Sequence, residues 1–287
     1  MTRAARSRRP PAEACPSRRA AQAPAAPEAP KQAEQAGRVR LSELSSSVPA
    51  ALSALSARVT SCRACPRLVA WREAVAKAPP AAHRGETYWA RPLPGFGDPR
   101  ARLVVVGLAP AANGGNRTGR MFTGDRSGDF LVAALHRYGF ASQPTSRSMD
   151  DGLRLIDCYL TAPVRCAPPD NRPTPTERDA CAPFLHEELG ILGAARVYLA
   201  LGTYAYASLL HSAAVIGRPP RPYPPFGHGL EVRLSADSPG EAGTPPLRAE
   251  RSIICSYHPS QRNVFTGLLT SAMFDEVLES ARTRVRG

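Results

Sequence analysis

A chain of 287 residues is long enough for one large domain or two small ones. Its hydrophobic fraction of 43% excludes wholesale disorder, and no run of about 18 apolar residues is present to span a membrane. The formal charge is +13, and because Lys31 and Lys77 are the only lysines, 35 of the 37 cations are arginines. That balance favours a polyanionic partner, which guanidinium groups grip bidentately.

Residues 1–40 carry nine basic and three acidic side chains, +6 of the total, and no Phe, Trp, Tyr, Ile or Leu occurs before Leu41. Such a segment buries too little apolar surface to offset its ordering entropy, so residues 1–50 read as a disordered Arg/Ala/Pro-rich tail ahead of a domain at 51–287. It lacks the apolar core of a secretory signal, and its prolines argue against an amphipathic transit helix; a cytoplasmic location is expected. Helical spacing at 52–59 leads into Cys62-x-x-Cys65, and 67–77 predicts a short amphipathic helix. Pro and Gly make 88–99 a loop. The apolar, β-branched run 103–106 stops at Gly107, the pattern of a buried parallel strand.

Strand and helix then alternate. Helices are predicted at 127–138, 175–192 (capped by Thr174), 203–213 and 264–282, and strands at 158–162, 196–201 and 252–256, with one further strand at 230–234 inside a Pro/Gly-rich excursion over 217–251. This order implies an α/β fold, a three-layer α/β/α sandwich around a mainly parallel sheet. Ligands in such folds sit beyond the carboxyl ends of the strands. Three polar loops fall there: 107–125, 166–173 and 256–263. The first is rich in small residues that let backbone N–H groups approach a ligand, and it adds Arg117, Arg120, Asp125 and Phe122. It is neither a P-loop, lacking Gly-Lys-Ser/Thr, nor a dinucleotide fingerprint.

Of seven cysteines, Cys62 and Cys65 with a distant pair make a four-thiolate set that suits zinc or iron–sulfur equally. Cys158 and Cys255 lie in apolar strands and read as core thiols. Cys15 lies in the tail.

The ordered strings GLAPAANGGNRTGRMFTGD, YLTAPVRCAPPDN and SYHPSQRN, with CRACPRLVAWRE upstream and YWARPLPGFGDP between, resemble a family 5 uracil-DNA glycosylase over roughly residues 55–285. The resemblance implies a [4Fe-4S] cluster on Cys62, Cys65, Cys166 and Cys181. It implies Asp125 as the carboxylate near the sugar, Asn171 beside the attacking water and His258 as a donor to the pyrimidine. Phe122 would stack on the base, with Gly107, Ala109 and Asn113 around it and Arg262 in the minor groove or in the gap left by the flipped base. Each residue has a plainer alternative: Asp125 as a helix cap, Asn171 as a turn residue, His258 satisfied by backbone, Arg262 as a phosphate contact. The family usually has His where this chain has Asn113. Ala109 and Ala111 are apolar, as in family 5, so Asp125 must carry the acidic role.

The implied activity is a monofunctional, monomeric glycosylase that removes uracil and other deaminated bases, such as hypoxanthine, from double-stranded DNA and so initiates base excision repair. No positioned Lys is present for lyase chemistry. The alternative is a catalytically impaired nucleic-acid-binding protein of the same fold.

Overall fold

The computed structural model describes residues 41–235 and 250–287; the predicted tail over residues 1–40 and Cys15 lie outside them. Six strands form one sheet in the order β1-β3-β2-β4-β6-β5, with β1 Phe96–Gly97, β2 Leu103–Val106, β3 Cys158–Thr161, β4 Val197–Leu201, β5 Glu231–Leu234 and β6 Arg251–Ser256. The central four are parallel, and the two edges are antiparallel. The expected strands therefore form within a residue or so of their predicted ends.

Alternation of side chains along the strands divides the core into two faces. Leu103, Val105, Leu160 and Leu199 meet α4 (Arg126–Arg137) and α9 (Ser271–Arg286). Val104, Val106, Tyr198 and Ala200 meet α5 (Pro175–Ile191) and α6 (Thr203–His211), with Leu52 of α1 (Leu41–Ser61) beyond. This is the three-layer sandwich that the chain order implied. α1 starts ten residues ahead of the boundary expected at 51. α2 spans Pro66–Lys77, and a four-residue helix, α3, spans Gly115–Thr118. Thr174 caps α5 as expected, in a reciprocal capping box with Glu177. Among the described residues no helix is long and apolar enough to cross a membrane.

Three local departures have physical causes. The 88–99 loop contains β1, two residues too short for a periodic signal, which pairs with β3 through Gly97 packed on the Cys158 backbone. The helix expected at 203–213 ends at His211, and Ala213–Ile216 forms a separate turn, α7. The predicted 264–282 helix is two: α8, Gln261–Phe265, and α9. Gly267 takes a left-handed φ of 72°, and the Thr270 hydroxyl accepts from the Met273 N–H, so the chain turns and restarts.

Candidate active site

A cavity of about 750 Å³ opens beyond the carboxyl ends of β2, β3 and β6. The loops after those strands line it. From the first come Ala109, Asn113, Phe122 and Asp125; from the second Asn171; from the third His258 and Arg262. Seven of the eight residues expected to act on substrate thus share one cavity. Gly107 does not line it. A Cβ there would lie 2.6 Å from the Phe122 ring, so Gly107 is the floor on which that ring rests.

Asp125 is both cap and pocket residue. It precedes α4, and its Oδ1 accepts from the Gly128 N–H at 2.9 Å. Its Oδ2 lies against Gly114, where any Cβ would collide with it. Burial raises its pKa from the ordinary aspartate value, against the lowering effect of the helix N–H groups and Arg117. Phe122 takes a φ of 50°, and Asp170 and Asn171 take 54° and 55°. Such left-handed backbone costs about 1–3 kcal/mol per residue and persists only where the surroundings enforce it.

His258 follows β6 and is held by its own carbonyl, which accepts from Asn263 Nδ2 at 2.9 Å. Its ring makes no hydrogen bond among the described residues. Burial pushes its pKa down to about 4, so at neutral pH it is an uncharged imidazole with one donor to offer.

Sequence reasoning did not foresee two lining residues and one that braces the lining from behind. Trp71 and His83 face the cavity. Tyr88 donates from its hydroxyl to Asn113 Oδ1 at 2.8 Å. Tyr88 stood in the quoted string YWARP without a role, and Trp71 followed only the helical period of α2.

The arginines of these loops differ in use. Arg120, expected beside the site, is 4% exposed, pairs with Asp151 at 2.7 Å and stacks on Phe96, which makes it part of the core. Arg117 ties Glu86 to the carbonyls of Asn113 and Gly124, fixing the loop. Arg126 and Arg262 line the cavity and Arg172 follows Asn171; all three are exposed, with no carboxylate partner among the described residues.

Cys62, Cys65, Cys166 and Cys181 line one small cavity between α2, the loop after β3 and α5. Arg72 and Arg165 line it too. Burial pushes the Cys166 thiol up to about 12 and Cys181 to about 11. Among the described residues no three His, Cys, Asp or Glu side chains form a set that would hold a metal ion as they stand; the thiols surround a common space instead. Cys158 and Cys255 are fully buried in β3 and β6, away from that cavity, as expected of core thiols.

The family model described as the Uracil DNA glycosylase superfamily matches residues 94–282. A "Type-5 uracil-DNA glycosylase" of Thermus thermophilus is 51% identical over 224 residues, 78% of this chain and 94% of the relative. Proteins of the same name from Mycobacterium tuberculosis and Pyrobaculum aerophilum are 48% identical over 227 residues (79% of each chain) and 42% identical over 224 residues (78% and 89%). The chain belongs to the type-5 family of the uracil-DNA glycosylase superfamily. The matched region takes in all three pocket loops of this family member, together with Cys166 and Cys181, while Cys62 and Cys65 precede it.

Proposed function

We propose that this chain hydrolyses the N-glycosidic bond of uracil in double-stranded DNA, and of other deaminated bases such as hypoxanthine, as a monomer acting in the cytoplasm with no lyase step. The observation that carries the reading is Asp125. One carboxylate oxygen is spent on its helix and the other is held in the same cavity as an unpartnered neutral imidazole and an aromatic face.

A nucleotide must leave the stack to enter, at an unstacking cost that is least for a mispaired base. Phe122 then covers one face of the base. As the C1′–N1 bond breaks, its electron pair goes to the base and positive charge gathers on the sugar. His258 donates to a base oxygen where negative charge grows, and Asp125 stabilises the sugar cation. Asn171 orients a water that adds to C1′, and Asp125 accepts the proton released. Free base and an abasic site result. Arg126, Arg172 and Arg262 hold flanking phosphates.

The four cysteines suit a [4Fe-4S] cluster: they ring one cavity, and a cationic guanidinium already points at Cys166 Sγ. Bound there, the cluster would cross-link the 62–65 segment to the 166–181 segment. Residues 1–50 would add sequence-independent attraction to DNA.

Incubating the chain with uracil-containing and hypoxanthine-containing duplexes, then cutting abasic sites with alkali, tests the activity. Cleavage of the uracil strand is expected. Binding without cleavage at every salt concentration overturns the enzymatic reading in favour of a DNA-binding protein of this fold. Iron and acid-labile sulfide in equal amounts are expected in the purified protein; zinc in their place overturns the cluster.

A further inference from the structure

Two guanidinium groups are buried beside the thiol cavity, and they differ in one respect. Arg165, 1% exposed, pairs with Glu188 at 2.7 Å. Arg72, 2% exposed, has no carboxylate partner among the described residues. Its Nη1 donates to Cys166 Sγ at 3.0 Å, its Nη2 to the Cys62 carbonyl at 3.4 Å, and its Nε is buried without a partner. A buried, uncompensated cation is among the most costly groups a protein can hold. The neighbouring Glu73 carboxylate feels its charge but makes no hydrogen bond to it, and the sulfur atoms are the groups in contact that can become its counter-charge.

The same turn of α2 also reaches the base pocket. Trp71, the preceding residue, lines that pocket. The main-chain carbonyl of Arg72 accepts from Asn116 Nδ2 at 3.3 Å. Asn116 is fully buried in α3, within the 107–125 loop that carries Asn113, Phe122 and Asp125.

Resting on the reading that the four thiols hold an iron–sulfur cluster, we infer that Arg72 is the cluster's counter-cation and a positioning residue through which the cluster holds the base pocket in shape. With the anionic cluster bound, the guanidinium is neutralised and the turn that carries Trp71 and receives Asn116 stays fixed. Loss of the cluster strands the cation, and the turn must shift to bring it to water. The base pocket loosens as a result, so removal of the iron by a chelator also loosens the 107–125 loop.

The test uses the full chain and the variants Arg72→Met, Arg72→Lys and Asn116→Ala, compared for cluster bleaching by a chelator, reduction potential, and hydrogen exchange over 107–125. Arg72→Met is expected to bleach about 10- to 100-fold faster, the range typical of lost outer-shell contacts to a metal site. Its potential should shift negative, because a cationic donor to sulfur favours the more negatively charged reduced cluster. Arg72→Lys should fall between it and the unmodified chain. Asn116→Ala should leave bleaching and potential unchanged while exchange over 107–125 rises. Unaltered bleaching and potential in Arg72→Met overturn the counter-cation role. Should that variant not fold, unaltered values in Arg72→Lys overturn it equally. Unaltered exchange in Asn116→Ala removes the link to the pocket. An iron-free unmodified chain fails the cluster reading itself, before any variant is compared.

Discussion

The two oxygens of Asp125 have separable duties, so two substitutions should give different signatures. Asp125→Asn keeps a cap of equal quality, since Asn and Asp are comparable at an N-cap. Asp125→Ala loses the bond to the Gly128 N–H, which costs about 1 kcal/mol. Both remove the carboxylate charge. By analogy with loss of a single transition-state-stabilising group, each should slow excision about 10²- to 10³-fold, or about 3–4 kcal/mol.

Stability should move differently. Burial raises the folded-state pKa of Asp125 above its unfolded value, so an ionised carboxylate at neutral pH is a cost of folding. Relative to the ionised form, that contribution is favourable below the unfolded pKa and is lost as pH rises through the folded pKa. Asn carries no such cost. Asp125→Asn should therefore melt at or above the unmodified chain at pH 7, with the gap closing on acidification towards about pH 4. Asp125→Ala should melt below Asp125→Asn by about 2–4 °C, the shift about 1 kcal/mol produces in a domain of this size. Single-turnover excision of uracil from a duplex and thermal melts at several pH values are the assays. An Asp125→Asn variant that excises at the unmodified rate refutes the electrostatic role. Equal melting of the Asn and Ala variants refutes the cap.

Four further outcomes follow from the same geometry. His258, held near 4 when folded against an ordinary 6.5, contributes stability that is full above about pH 6.5 and is lost as pH falls towards 4; His258→Gln should flatten that part of a stability–pH curve. Phe122→Ala should weaken productive base binding by about 1–3 kcal/mol, read as a raised KM or slower single-turnover excision, while Phe122→Tyr restores it. Removing Arg126, Arg172 or Arg262 should each lower the slope of log K against log salt by about 0.9 on duplex DNA, whereas removing Arg120 should destabilise the fold without that signature. Glu188→Ala strands the buried Arg165 and should cost about 3–5 kcal/mol in denaturant unfolding.

The sheet was legible because its central strands are buried on both faces and so are continuously apolar: Leu103 to Val106 and Val197 to Leu201 have no polar residue to confuse the period. β1 was hidden because two residues carry no period, and the closing helix was over-extended because Leu268 and Leu269 kept the apolar rhythm through a turn that Gly267 and Thr270 enforce. The three site loops could be found as polar segments at strand ends. What the sequence withheld was direction. Nothing in it distinguishes Arg120, turned inward to Asp151, from Arg126, turned outward, or shows that Tyr88 reaches Asn113 across 25 residues. Gly107 looked like a ligand-approach glycine and instead gives Phe122 room, which depends on the left-handed φ of a residue 15 positions away.

Two titratable groups of the pocket, Asp125 and His258, are displaced in opposite directions by one cause. Burial raises the Asp125 carboxyl and lowers the His258 imidazole, because removal from water penalises whichever form is charged. For His258 this keeps a neutral donor, which costs little to hold and strengthens its bond as charge builds on the departing base. For Asp125 the penalty is borne in the ground state, where Arg117 and the helix N–H groups offset it only in part. It is relieved only when positive charge develops on the sugar. An aspartate exposed to water would already be solvated, and its attraction to that cation would be screened in both states. The burial that costs stability is therefore what makes the interaction stronger in the transition state than in the substrate complex, and only such a difference accelerates the step.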